Sequence, residues 1–182
     1  MKTTFKIKGK IVFDPPDITS KHKNQGEWKK VAYVEFGGDI KKYYRWFINK
    51  RYTIPLGEPI RKAHITFIND SHRDMGEGVK DWDVVKRKWN GKYIDVVLSV
   101  DVRGDGINWW LVVPEEHRTE LHAIRAELNL GRPYFGLHMT IGVARDAHDK
   151  DENPQHNTLR VVRRNEEHSR YIHNLLSRGK IN

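Results

Sequence analysis

The chain contains no cysteine. Disulfides, thiolate metal ligands and cysteine nucleophiles are therefore excluded, and a reducing cytoplasm is the expected setting. Long apolar runs are also missing. No stretch approaches the roughly 20 consecutive apolar residues of a membrane span, so no membrane partner is expected. The opening MKTTFKIKGKIVF alternates polar and apolar residues and lacks the continuous apolar segment of a secretory signal. Acid is in deficit: 24 Asp and Glu face 33 Lys and Arg, for a formal net charge of +9. A basic balance favours polyanionic partners such as nucleotides or nucleic acid, although ordinary surface lysines would give the same total.

What is present suffices for a folded core. Of 182 residues, 37% are hydrophobic and 10% aromatic. That length suggests one domain, with room for two lobes. Residues 4–13 alternate and predict a strand. Asp14-Pro15-Pro16-Asp17 ends it, and 17–27 read as a polar loop. Lys30 to Phe36 predict a second strand. Gly37-Gly38-Asp39 offers a turn with Asp39 as helix N-cap. Residues 40–50 then set Ile40, Tyr44, Phe47 and Ile48 on one helical face.

Pro55, Gly57 and Pro59 interrupt the chain before a strand at 63–69. Residues 70–81 read as a loop, and 82–89 fit a short helix or a strand equally. Asn90-Gly91 signals a turn. A strand over 93–103, a turn at Gly104-Asp105-Gly106 and a return strand over 107–113 read as a hairpin. Pro114-Glu115-Glu116 suits a helix start. That helix should run to about Leu130, bury Leu121, Ile124 and Leu128, and close at Gly131. A strand at 137–144 follows. Beyond it, 145–182 form a basic C-terminal extension: a polar loop over 145–157, a short strand near Leu159 to Val162 and a last helix over 166–178. The mixed order predicts an α+β chain with largely antiparallel sheets. In each half, a helix precedes one copy of a shared phrase, so an approximate internal duplication is expected.

That phrase is the chemistry-bearing feature. His64-Ile65-Thr66-Phe67 and His138-Met139-Thr140-Ile141 each read His, apolar, Thr, apolar. In a strand, residues two apart share a face. Each His therefore shares a face with its Thr, and the apolar neighbours point into the core. A single copy would be read as a satisfied core histidine. Two copies suggest one site with two imidazoles and two hydroxyls. One imidazole can take a proton from an attacking hydroxyl or water while the other protonates the leaving oxygen. Thr66 and Thr140 can donate to non-bridging phosphate oxygens. Cleavage of a phosphodiester uses all four groups, with no metal or cofactor required. His72, His117, His122, His148, His156 and His168 lie in polar stretches and are expected at the surface.

The paired phrases resemble the signature of the two-histidine (LigT-like) phosphoesterases. The run from Asn108 to Gly142, with NWWLVV, a helix ending ELNLGRPYFG, and LHMTIG, is similar to the phage anti-CBASS phosphodiesterases, which degrade cyclic oligonucleotide alarm signals. The resemblance spans roughly residues 28 to 143 and does not cover the longer N-terminus or the extension after Ala144. It implies a bilobal fold of antiparallel sheets lining a central cleft, with flanking helices. It also implies metal-independent cleavage of 3′–5′ bonds in cyclic di- or trinucleotides, in the host cytoplasm if the protein is phage-encoded. His64 and His138 would be the acid–base pair, in either order, and Thr66 and Thr140 the phosphate holders.

Base stacking on an aromatic face is worth about 1–3 kcal/mol. Tyr33 lies on a strand that the resemblance sets near the cleft. Trp109 and Trp110 face opposite sides of their strand, one toward the core and the other available to the cleft. Trp82 and Trp89 are rivals, and Tyr134 or Phe135 can border the site. The alternatives are a 2′,3′-cyclic phosphodiesterase or ligase-like enzyme acting on RNA ends with the same four residues, and a non-catalytic nucleotide- or RNA-binding module. A large RNA favours an open basic groove; a small cyclic ligand favours an enclosed aromatic pocket. The oligomeric state is left open.

Overall fold

The computed structural model describes residues 3–16, 30–37, 39–52, 54–59, 61–69, 79–104, 108–133 and 136–144. The expected loop at 17–27, residues 70–78 of the loop expected over 70–81, residues 105–107 of the expected turn and return strand, Tyr134, Phe135 and the whole extension 145–182 lie outside them. The described elements are mixed α and β, and the registered strand pairs are all antiparallel. The chain divides into two compact units built from interleaved segments.

The first unit comprises Met1–Gly38, Arg61–Asp101 and Leu111–Met139. Its sheet is built on β1 (Thr4–Phe13), with β5 (Tyr93–Ser99) on one side and β2 (Val31–Glu35) on the other. Next to β2 comes β4 (His64–Asn69), and Ile65 of β4 pairs with Met139 at the start of β8 (His138–Ala144). The register sorts the side chains into two faces. Ile11, Val34, Ile65 and Met139 form one continuous row of cross-strand neighbours, each without solvent exposure. Burying an aliphatic side chain contributes about 1.5–3 kcal/mol, so this row anchors four strands at once. Gly9 lies on the same face. A Cβ there would meet Val34 at 2.4 Å and the Phe36 ring at 2.5 Å, so the ring occupies the space a side chain would need.

Two helices belong to this unit. Residues 82–89 resolve their ambiguity as a helix, α2 (Trp82–Trp89), which buries Trp82 and Val85. Trp82 meets Phe13 edge-on at 5.0 Å between ring centroids, and its Nε1 donates to Asp14. The turn after it forms as expected: Gly91 has φ 83, and Asn90 Oδ1 accepts from Phe13 N. The helix expected from Pro114 starts later. A single 3-10 turn (Glu115–His117) comes first, and α3 spans Thr119–Glu127. The break falls at Arg118, whose Nε donates to Val113 O at 2.8 Å. Leu121, Ile124 and Leu128 are buried as expected. Closure falls on Asn129 rather than Gly131. Asn129 has φ 59, its N–H bonds Ala126 O, and Leu130 N–H bonds Arg125 O. That pair of bonds is the left-handed cap that satisfies final-turn carbonyls.

The second unit comprises Asp39–Ile60, Val102–Trp110 and Thr140–Asn182. Helix α1 (Asp39–Tyr52) starts at Asp39 itself and buries Lys41, Tyr44 and Ile48; Ile40 and Phe47, expected on that face, lie at its margin. Burial, then the charge of Arg45, lowers the Lys41 pKa against the opposing pull of Glu58. Strand β3 (Leu56–Gly57) pairs with Val143 and Ala144 of β8. The strand expected over 93–103 is broken. It ends at Ser99, whose Oγ accepts from Asp101 N, and β6 resumes at Val102–Gly104 beside β7 (Asn108–Val112). Only β6 therefore joins the expected hairpin, while β5 pairs with β1.

Candidate active site

The two His-x-Thr phrases occupy equivalent local settings. Burial alternates identically along both copies: Ala63, Ile65 and Phe67 are buried while His64 and Thr66 are half-exposed, and Leu137, Met139 and Ile141 are buried while His138 and Thr140 are half-exposed. The carbonyl just before each His is taken by a neighbouring segment. Phe36 N–H bonds Ala63 O, and Val113 N–H bonds Leu137 O, each at 2.9 Å. The carbonyl one residue further back is bonded by the imidazole instead. His64 Nδ1 lies 2.7 Å from Lys62 O, and His138 Nδ1 lies 2.7 Å from Gly136 O.

A carbonyl oxygen can only accept. Both hydrogen bonds therefore assign the proton of the neutral ring to Nδ1. Nε2 is left as the lone-pair nitrogen, or as the acidic N–H of the imidazolium. Either ring can take a proton or give one through Nε2.

The sheet brings three of the four groups into one neighbourhood within the first unit. With Ile65 opposite Met139, the next antiparallel pair sets Thr66 across from His138 on the opposite face. Such neighbours have Cβ atoms about 4.5–5.5 Å apart, and the diagonal His64–His138 pair falls at roughly 7–8 Å. Thr140 shares the side of β8 that carries His138, two residues along in the second unit.

The aromatic candidates divide sharply. Tyr33 pairs with Thr66 and shares its face, but it is only 3% exposed and its ring lies 5.0 Å from that of His64, tilted by 44°. It backs the imidazole and offers no open platform. Trp109 is the member of its pair that faces the core. It is 1% exposed, and its ring fills the space beside Gly104. Trp110, on the other side of the strand, is half-exposed. Trp82 packs on Phe13, and Trp89 is engaged by the Glu127 carboxylate, with Lys88 and Lys92 over its ring.

No family model, curated protein or solved structure matched the chain. The site therefore stands on its own geometry.

That geometry includes a residue the motifs did not announce. Arg125 of α3 is 0% exposed. Its Nη1 donates to Phe67 O at 2.6 Å, and its Nε donates to Gly131 O at 2.7 Å. Phe67 closes the first phrase, and Gly131 opens the segment leading to the second. One guanidinium thus ties both approaches together. A signal was present: Arg125 lies four residues after Leu121 and three before Leu128, inside the apolar stripe, where a charge needs a structural reason. The carbonyls of Lys62 and Gly136 had no such signal, because any residue supplies one. Among the expected surface histidines, His117 is exposed, whereas His122 is half-buried and its Nε2 has no hydrogen-bond partner.

Proposed function

We propose that the chain is a metal-independent phosphodiesterase using His64 and His138 as its acid–base pair. The observation that carries this reading is the matched anchoring of the two imidazoles by the carbonyls two residues before them. A histidine kept only for packing has no need of a defined tautomer, and two such histidines on adjacent strands with a threonine between them suit a phosphate better than an apolar core.

The reaction follows from the groups available. A 2′-hydroxyl adjoining the scissile phosphate attacks phosphorus, and its proton passes to Nε2 of one histidine. The P–O5′ bond breaks, and the departing oxygen takes a proton from Nε2 of the other. The product is a 2′,3′-cyclic phosphate, which water can open in a second step with the roles reversed. Thr66, and Thr140 beside His138, would donate hydrogen bonds to the non-bridging oxygens as charge develops there. Tyr33 would hold the ring of His64, and Trp110 is the tryptophan of β7 with surface to offer a base.

By the family resemblance the substrates are cyclic di- and trinucleotides, which fits the basic net charge. RNA ends bearing 2′,3′-cyclic phosphates would use the same groups. The test is incubation with EDTA and a panel of cyclic dinucleotides, cyclic trinucleotides and 2′,3′-cyclic-phosphate RNA, with products identified. Cleavage should resist EDTA and disappear in His64→Ala and in His138→Ala. Retained activity in both variants would overturn the assignment, and cleavage confined to RNA ends would move the substrate to the second class.

A further inference from the structure

The sheet face that carries His64 continues away from it across three more strands of the first unit. The register lines up Tyr93, Lys10, Glu35 and His64 as successive cross-strand neighbours on β5, β1, β2 and β4. Alternation along β1 adds Lys8 and Lys6 to the same face, opposite Asp95 and Val97. Lys6, Lys8 and Lys10 are all exposed, and Tyr93 is 65% exposed. Exposed lysines on a sheet commonly protect an edge strand from pairing. That explanation fails at Lys10, where β1 is paired with β2 on one side and β5 on the other, while Lys6 and Lys8 are registered with β5 alone.

We infer that this face is a binding track for single-stranded RNA. The lysines hold backbone phosphates, Tyr93 stacks a base, and the strand is led over β2 to the histidines. Lysines two residues apart on a strand are spaced by about 6.8 Å, a step that an extended polynucleotide backbone can follow. From β1 to β4 is two strand spacings, about 10 Å. An exposed cationic row with an aromatic at its end is the arrangement that binds single strands without reading sequence. Two acids share the face. Asp95 lies 3.6 Å from Lys6 in an open ion pair, a contact weak enough for phosphate to displace, and Glu35 stands between Lys10 and His64. As a statement about substrate, the inference rests on the phosphodiesterase reading. It then bears on the second substrate class named above, RNA, because a strand longer than the site can engage cations spread beyond it.

The test reads binding rather than cleavage. A fluorescein-labelled oligouridylate of about 12 nucleotides, within the span one small domain covers, is made with 2′-O-methyl riboses and titrated with the full chain in EDTA. Fluorescence anisotropy is followed over a range of salt. The wild type should bind with a marked salt slope. Replacing Lys6, Lys8 and Lys10 together by glutamine should weaken binding and flatten the slope by about 2, since each phosphate contact on a single strand contributes about 0.7. Tyr93→Ala should weaken binding about fivefold or more, the lower end of base stacking. Asp95→Asn should tighten it. Circular dichroism melts establish that each variant is folded. An unchanged slope in the triple variant, or no binding by the wild type, overturns the track. Because the probe is uncleavable, an inactive histidine pair leaves this result intact, and a failed track leaves the cleavage assay intact.

Discussion

His64 and His138 share the same three conditions: a buried residue before, the carbonyl of that residue bonded by a neighbouring segment, and an Nδ1 fixed on the carbonyl two residues back. The protein thereby presents two Nε2 atoms of defined character with little ordering left to the substrate. General acid–base groups contribute about 10²–10⁴-fold, so on the proposed phosphodiesterase reading either alanine variant should lower kcat by that order while both remain folded. Unchanged kcat in either variant removes that residue from the pair. Thr66→Val should cost about 10²–10³-fold in kcat, the effect of removing one donor to a developing charge. A change confined to KM would instead make Thr66 a ground-state contact.

His122 supplies a separate residue-scale prediction. Burial, then the charges of Arg118, Arg132 and Arg125, lowers its pKa below the ordinary histidine value against a smaller pull from Glu115. The unfolded chain therefore takes up this proton at higher pH than the folded one. Stability should fall as the pH drops through about 6.5, where the unfolded imidazole titrates. His122→Gln should flatten the plot of Tm against pH between about 7 and 5. An equally steep acid limb in the variant would show that His122 does not produce it.

At the scale of elements, α3 acts as a clamp. Removing Arg125 would leave the buried carbonyl of Phe67 without this hydrogen bond, and a buried unsatisfied group costs about 1–3 kcal/mol. Arg125→Met should therefore destabilise the fold by at least roughly 1–3 kcal/mol in urea unfolding. Because the clamp joins the first phrase to the segment leading to the second, the proposed activity should lose kcat even under conditions where the variant is fully folded. A destabilised variant with wild-type kcat would make Arg125 structural only. Strand β1 has a similarly sharp requirement at Gly9. Gly9→Val must displace the Phe36 ring and should cost about 1–3 kcal/mol, as overpacking does.

These elements also show where local reading stops. The apolar stripe of α3 was legible in Leu121, Ile124 and Leu128, but its start was displaced by Arg118 reaching back to Val113 O. Its end was displaced because Asn129 took the left-handed conformation before Gly131 was reached. In 93–103 the residue pattern continued through the break, while hydrogen bonding did not: β5 is held by β1 and β6 lies beside β7.

At the scale of the whole molecule, the net charge of +9 should make association with anionic substrates salt-sensitive. Raising salt should lower kcat/KM while leaving kcat at saturation nearly constant, because screening acts on encounter more than on the reacting groups. A salt-independent kcat/KM would remove long-range attraction from the account.

The sequence by itself determined the periodicities, and with them the mixed α and β content, the strand settings of His64 and His138, and the common face of each His with its Thr. Those follow from the alternation of side chains along a strand, which is local. Tertiary structure decided that the two phrases lie on neighbouring strands and that Lys62 and Gly136 fix the imidazoles. It also decided that Tyr33 and Trp109 are buried, that Arg125 joins the first phrase to the segment leading to the second, and that three lysines of β1 share the face of His64. Each of these depends on strand register or on a backbone carbonyl. Register is set by long-range pairing, and every residue carries the same carbonyl, so neither leaves a mark in the order of side chains.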